Sequence, residues 1–116
     1  MIEKRKFIRL NAAIGVTYKL IKKHKRQKEL LSLVKDIGGG GIRIQAKEDL
    51  RPGDLLKVDI EIPHLSESIE AMGEVIWFSK TKDRGHEQKE AGVRFRDMDS
   101  TDLHKILEYV HSIGIG

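Results

Sequence analysis

The chain has 116 residues and a formal net charge of +4, with 39% hydrophobic and 34% charged residues. That length supports one modest core and one domain. It has no cysteine, which excludes a disulfide framework and thiolate chemistry and fits a cytoplasmic location. "MIEKRKFIRL" lacks the apolar core of a secretory leader, and no apolar run nears the roughly 18–20 residues that span a bilayer, so membrane insertion is not expected.

Basic charge concentrates at 3–9 and 19–28. Such clusters either attract an anionic partner or serve as solvated charge. The β-branched and aromatic content of "VTYKLI" predicts a strand over 16–21, and 22–28 is a polar connection. A second strand is expected over 29–37. A third follows over 41–46, where Ile42, Ile44 and Ala46 alternate with Arg43 and Gln45. Arg51, Pro52, Gly53 and Asp54 form a turn. The clearest strand is "LKVDIEIP", with Leu56, Val58, Ile60 and Ile62 on one face. A long strand over 68–80 carries Trp77. The polar run 81–90 reads as a hairpin loop, and 91–98 as the last strand. The period then changes. Leu103, Ile106, Leu107 and Val110 form a helical stripe over 101–113, with Asp99 or Ser100 as cap and Gly114 as stop.

Six short strands joined by turns predict a mainly β fold, a small six-stranded antiparallel β-barrel with a C-terminal α-helix. The expected layout is a single domain over 1–116. It comprises an N-terminal segment over 1–11, a barrel over 14–98 and a helix over 100–113.

Catalytic chemistry finds no support. His24, His64, His86, His104 and His111 lack zinc-site spacing, and the serines lie in no nucleophile elbow. No enzyme and no metal are expected. The run Gly38, Gly39, Gly40 and Gly41 raises a different question, because ordering four glycines is costly. Either the chain turns tightly or something approaches its backbone. The run is no nucleoside-triphosphatase loop, since Ile42 and Arg43 follow where Lys and Ser or Thr would stand. It is no dinucleotide fingerprint either, since a strand follows it.

Two elements bear on the ligand. Arg5 and Arg9 form RxxxR, and guanidinium forks match phosphate oxygens and the acceptor edge of guanine. Asp36-x-Gly38-x-x-Gly41 offers a carboxylate for the N–H edge of guanine, and glycines past which backbone N–H groups can reach a phosphate. With these motifs, and with "LRPGDLLKVDIEIP", "GEVIWF" and "AGVRF" in order, the chain resembles the PilZ family of cyclic di-GMP receptors over nearly its whole length.

The resemblance implies a six-stranded barrel that pairs RxxxR with [D/N]xSxxG. By it, Arg5 and Arg9 clasp phosphates and guanine, and Asp36 takes a guanine edge. Gly41 supplies a tight turn and close backbone approach. Gly38 departs from the pattern, standing where the family usually has serine, so one hydroxyl contact is missing. On strict alternation Trp77 shares a face with Val75 and Gly73, and either packs in the core under the helix or walls the ligand. Arg94 and Arg96 share a face opposite Val93 and Phe95, where they are either solvated or one reaches the ligand; Arg94 is taken as the candidate.

The implied function is a cyclic di-GMP receptor or adaptor. Ligand would order the N-terminal RxxxR segment, otherwise expected to be mobile, and an unidentified downstream protein would read the new surface. A module with a degenerate site that binds protein and no nucleotide is the alternative. No DNA partner is expected, because a single tryptophan and few other aromatics offer little for base stacking.

Overall fold

The computed structural model describes residues 8–21, 28–63 and 65–115. The elements in chain order are β1 (Ile8–Leu20), β2 (Leu30–Gly38), β3 (Gly41–Gln45), β4 (Leu55–Ile60), β5 (Ile69–Asp83), β6 (His86–Asp97) and α1 (Ser100–Ile115). The strands close antiparallel into a six-stranded barrel in the order β1-β2-β3-β6-β5-β4. The expected fold class is therefore the observed one.

Alternation drives the closure. Leu56, Val58 and Ile60 of β4 point inward and are buried, while Leu55 and Lys57, which alternate with them, are exposed. Val16 and Tyr18 of β1, Val34 and Ile37 of β2, and Ile42 and Ile44 of β3 complete much of the same core. The loop after β3 is tied to the barrel at Tyr18, whose buried Oη accepts the Lys47 N–H at 2.8 Å. The turn at 51–54 forms as expected. The Asp54 N–H donates to the Arg51 carbonyl at 3.0 Å, and Gly53 adopts φ +95°, as a type II turn requires.

Several boundaries differ from the sequence reading. β1 begins at Ile8 rather than 16, and Ile8 and Arg9 pair with Ile37 and Asp36 before the register breaks between Arg9 and Ile14. The polar run 81–90 is mostly ladder and not loop. β5 and β6 remain paired out to Asp83 and His86, and the hairpin closes at Arg84 (φ 51°) and Gly85 (φ 80°). Two successive positive φ values are the tight hairpin turn that suits strand twist. This ribbon covers no core, so both its faces are polar and the alternation that marks a strand is missing.

α1 is capped by Asp99, whose Oδ1 accepts the Thr101 N–H at 2.7 Å, and it extends past Gly114 to Ile115. Ile106 is fully buried under it. Leu107, expected in the buried stripe, is largely exposed, with its Cδ2 resting against Gly39.

Candidate functional site

Three one-residue offsets shape one side of the barrel. Between β2 and β3, Val34 pairs with Ile44 but Asp36 pairs with Arg43, so Lys35 is extra. Between β5 and β6, Val75 pairs with Val93 but Trp77 pairs with Gly92, so Ile76 is extra. Met72 pairs with Asp97 and Gly73 with Phe95, so Arg96 is extra. Each bulge reverses the alternation beyond it. Asp36 thus faces outward although Val34 points in, and Trp77 faces outward although Val75 points in. Strict alternation had placed Trp77 with Val75; the bulge at Ile76 separates them, and Trp77 is 39% exposed rather than core.

The outcome is one cross-strand row over five strands: Arg9 of β1, Asp36 of β2, Arg43 of β3, Gly92 of β6 and Trp77 of β5. The adjacent row of Ile37, Ile42, Val93 and Val75 points into the core and is buried. The next outward row is Gly38, Gly41, Arg94 and Glu74. Between the two outward rows lies a groove of about 520 Å³, lined among others by Asp36, Gly40, Arg43, Trp77, Gly92 and Arg94. That volume lies within the usual range for small-ligand sites.

Glycines make the groove in two ways. A Cβ on Gly92 would occupy the place of the Trp77 indole, whose Nε1 side lies against that glycine. A Cβ on Gly41 would collide with the Val93 carbonyl, so β3 and β6 approach closely only because this side chain is absent. None of Gly38, Gly39, Gly40 and Gly41 adopts the left-handed region. The glycine run therefore serves close approach. Gly39 accommodates Leu107 of α1, whose Cδ2 lies 2.9 Å from where a Cβ would sit, and the Phe95 N–H donates to the Gly40 carbonyl at 2.9 Å. Gly41, expected to supply the tight turn, instead opens β3, and Gly39 and Gly40 form the turn.

The charges are paired. Arg43 Nε lies 2.6 Å from Asp36 Oδ2 in an ion pair whose geometry falls short of a hydrogen bond. Arg43 Nη1 donates to Glu90 Oε1 at 3.4 Å, and Lys35 Nζ is 2.7 Å from Glu90 Oε2. Glu74 Oε1 is shared by Arg94 Nη2, at 3.5 Å, and Arg96 Nη1. One carboxylate against two guanidiniums leaves local positive charge, and both arginines are more than half exposed. Planar guanidinium and indole surfaces beside a half-buried carboxylate can hold an aromatic ring by stacking and its N–H edge by hydrogen bonding.

The structure brings together Asp36, Gly38, Gly41, Trp77 and Arg94, and places Arg9 in their row by register. Arg5 lies outside the described residues. The sequence reading missed Arg43, Glu90 and Gly92. Arg43 had a signal: a two-residue turn at Gly39 and Gly40 pairs Gly38 with Gly41, and the same register sets Asp36 opposite Arg43. Among the described residues no cluster of His, Asp or Glu suits a metal ion, and no helix is long and apolar enough to cross a membrane.

A closed six-stranded barrel with a terminal helix and a groove beside its β2–β3 hairpin is a small β-barrel class of fold. The PilZ domain model matches residues 3–112, and the chain belongs to the PilZ family. No curated protein matches the sequence. Several solved structures share the fold. The Bacillus subtilis inhibitor of motility MotI/DgrA aligns at TM-score 0.73 and 19% identity, over 98% of this chain and 53% of that one. The PilZ domain of Escherichia coli YcgR with c-di-GMP aligns at 0.71 and 15%, over 97% and 93%. The complex of K. pneumonia MrkH with c-di-GMP aligns at 0.76 and 18%, over 98% and 54%. The chain thus spans about half the length of MotI/DgrA and MrkH.

Proposed function

We propose that the chain is a cyclic di-GMP receptor. The observation that carries this reading is the cross-strand row Asp36, Arg43, Gly92 and Trp77, which gathers anion, cation and aromatic chemistry along one groove, with Arg9 in register beside Asp36. Family membership and the c-di-GMP complexes of YcgR and MrkH support the choice of ligand. Arg5 and Arg9 would clasp the phosphates. Asp36 would accept from a guanine edge, with Arg43 holding its carboxylate in place. Trp77 would cover a base face, and Arg94 would leave Glu74 for a ligand oxygen. Binding would fix the N-terminal RxxxR segment over the groove, and a downstream protein would read that surface. A cytoplasmic setting belongs to the same proposal.

Gly38 favours a second reading, a module that contacts protein and binds no nucleotide, because the family's serine hydroxyl is missing. Calorimetric titration with cyclic di-GMP, against GTP and cyclic di-AMP, decides between them. Saturable binding of cyclic di-GMP alone supports the receptor. No heat up to about 1 mM ligand, which corresponds to less than about 4 kcal/mol of binding, leaves the interaction module.

A further inference from the structure

We propose that the outer face of β2 centred on Ser32 is a twofold docking surface for a second copy of this chain. Leu31 is 69% exposed, more than any other large apolar side chain among the described residues, and Leu33 is 44% exposed on the same face. Their neighbours on β1 are small: Leu31 is opposite Thr17, and Leu33 is opposite Gly15, against which the Glu61 carboxylate rests. The two leucines form one exposed apolar patch on the outer face of β2.

The residues around them identify the occupant. The segment "ELLSLVK", 29–35, is nearly symmetric about Ser32. Leu31 and Leu33 are equidistant from it and point outward. Leu30 and Val34 are equidistant and contribute to the barrel interior. Glu29 and Lys35 are equidistant and carry opposite charges. A twofold axis crossing the strand at Ser32 runs the two β2 strands antiparallel, face to face. It sets Leu31 on Leu33 of the second copy and Glu29 on Lys35 of the second copy, each contact occurring twice. This is the self-complementarity that an isologous interface needs, and the chain meets its own charge requirement without another partner. Lys35 already lies 2.7 Å from Glu90, and its ammonium has three donors, enough for both carboxylates. Lys35 has the same strand parity as the leucines, and its side chain is part exposed. The patch is small, so the dimer is weak, with dissociation in about the 0.1 mM range.

Sedimentation equilibrium of the full chain at low salt, between about 10 μM and 1 mM, tests the proposal. The expected mass rises with concentration from 13.2 kDa towards twice that value. Leu31→Glu, at a site too exposed to affect folding, should stay monomeric throughout. Glu29→Lys and Lys35→Glu should each weaken association by about tenfold, since each puts like charges opposite one another twice, and the double variant should regain it. A wild-type mass that stays at 13.2 kDa up to about 1 mM overturns the proposal. So does association that survives Leu31→Glu, and so does a double variant that fails to recover what the single changes lose. Circular dichroism of each variant confirms that a monomer is a folded one.

Discussion

At the scale of single residues, backbone conformation decides what can be changed. Gly38 lies in an ordinary strand conformation, so serine fits its backbone without strain. Gly38→Ser should therefore strengthen cyclic di-GMP binding by about tenfold or more, the worth of a hydrogen bond to a charged group of about 1.5–3 kcal/mol. Unchanged or weaker affinity by calorimetry would remove the hydroxyl contact from the proposal. Asp59 makes a different case, away from the groove. Its Oδ1 is buried without a hydrogen-bond partner, and from β4 it sits directly opposite Glu70 of β5. Burial first, and the Glu70 charge second, raise the Asp59 carboxyl above the usual range. A carboxyl with a raised folded-state pKa works against folding once ionised, and that penalty fades as pH falls through the folded pKa towards the unfolded one. Asp59→Asn should stabilise the protein at pH 7 by about 0.2–1 kcal/mol, the cost of opposed like charges on a ladder. The advantage should shrink as pH falls towards about 4. A urea midpoint no higher in the variant at pH 7, or a gain that persists at low pH, would contradict this account.

At the scale of elements, two glycines of the groove do separate work, and alanine distinguishes them. At Gly41 the added Cβ meets the Val93 carbonyl, a backbone atom that moves only if β3 and β6 part. Gly41→Ala should cost about 3 kcal/mol, the upper end for overpacking. At Gly92 the Cβ meets the Trp77 indole, a part-exposed side chain that can swing away. Gly92→Ala should lower the unfolding free energy in urea by about 1 kcal/mol, less than Gly41→Ala does, shift Trp77 emission and weaken ligand binding. If both variants lost stability equally, Trp77 would be a packing residue and not the wall of a groove. These elements also show where a sequence is readable. Alternation located the start of β4 within a residue, because each inward side chain there enters the core, but it carried the strand past its end at Ile60 because Ile62 is buried too. The bulges at Lys35, Ile76 and Arg96 left no local mark, since an extra residue is defined only against the partner strand. Trp77 was assigned to the wrong face for that reason. The outer half of β5 and β6 read as loop because it has no core to alternate against. Asp36 and the glycine run were legible through motif spacing, and the facing Arg43 follows from hairpin register alone.

At the scale of the whole molecule, register connects the ends of the chain to its middle. Arg9 lies near the N-terminus and Trp77 in the fifth strand, yet one row across the barrel contains both, with Asp36 and Arg43 between. A ligand held along that row would join the N-terminal RxxxR to the β2–β3 hairpin, and it can order that segment only by binding the clamped arrangement more tightly than the open one. Cyclic di-GMP should accordingly slow amide exchange over 2–10 and over 36–42 together. Residues 101–113 should change less, since Ile106 is already fully buried beneath α1. Ile8 and Arg9, already paired with β2, should show protection without ligand as well. Removing residues 1–7 should leave the barrel folded, because the ladders that close it are made by residues from Ile8 onward, while weakening binding through the loss of Arg5. Hydrogen exchange with and without saturating ligand checks the clamp separately from the receptor itself. Slowing confined to 36–42, alongside binding in the calorimeter, would keep the ligand and discard the clasp.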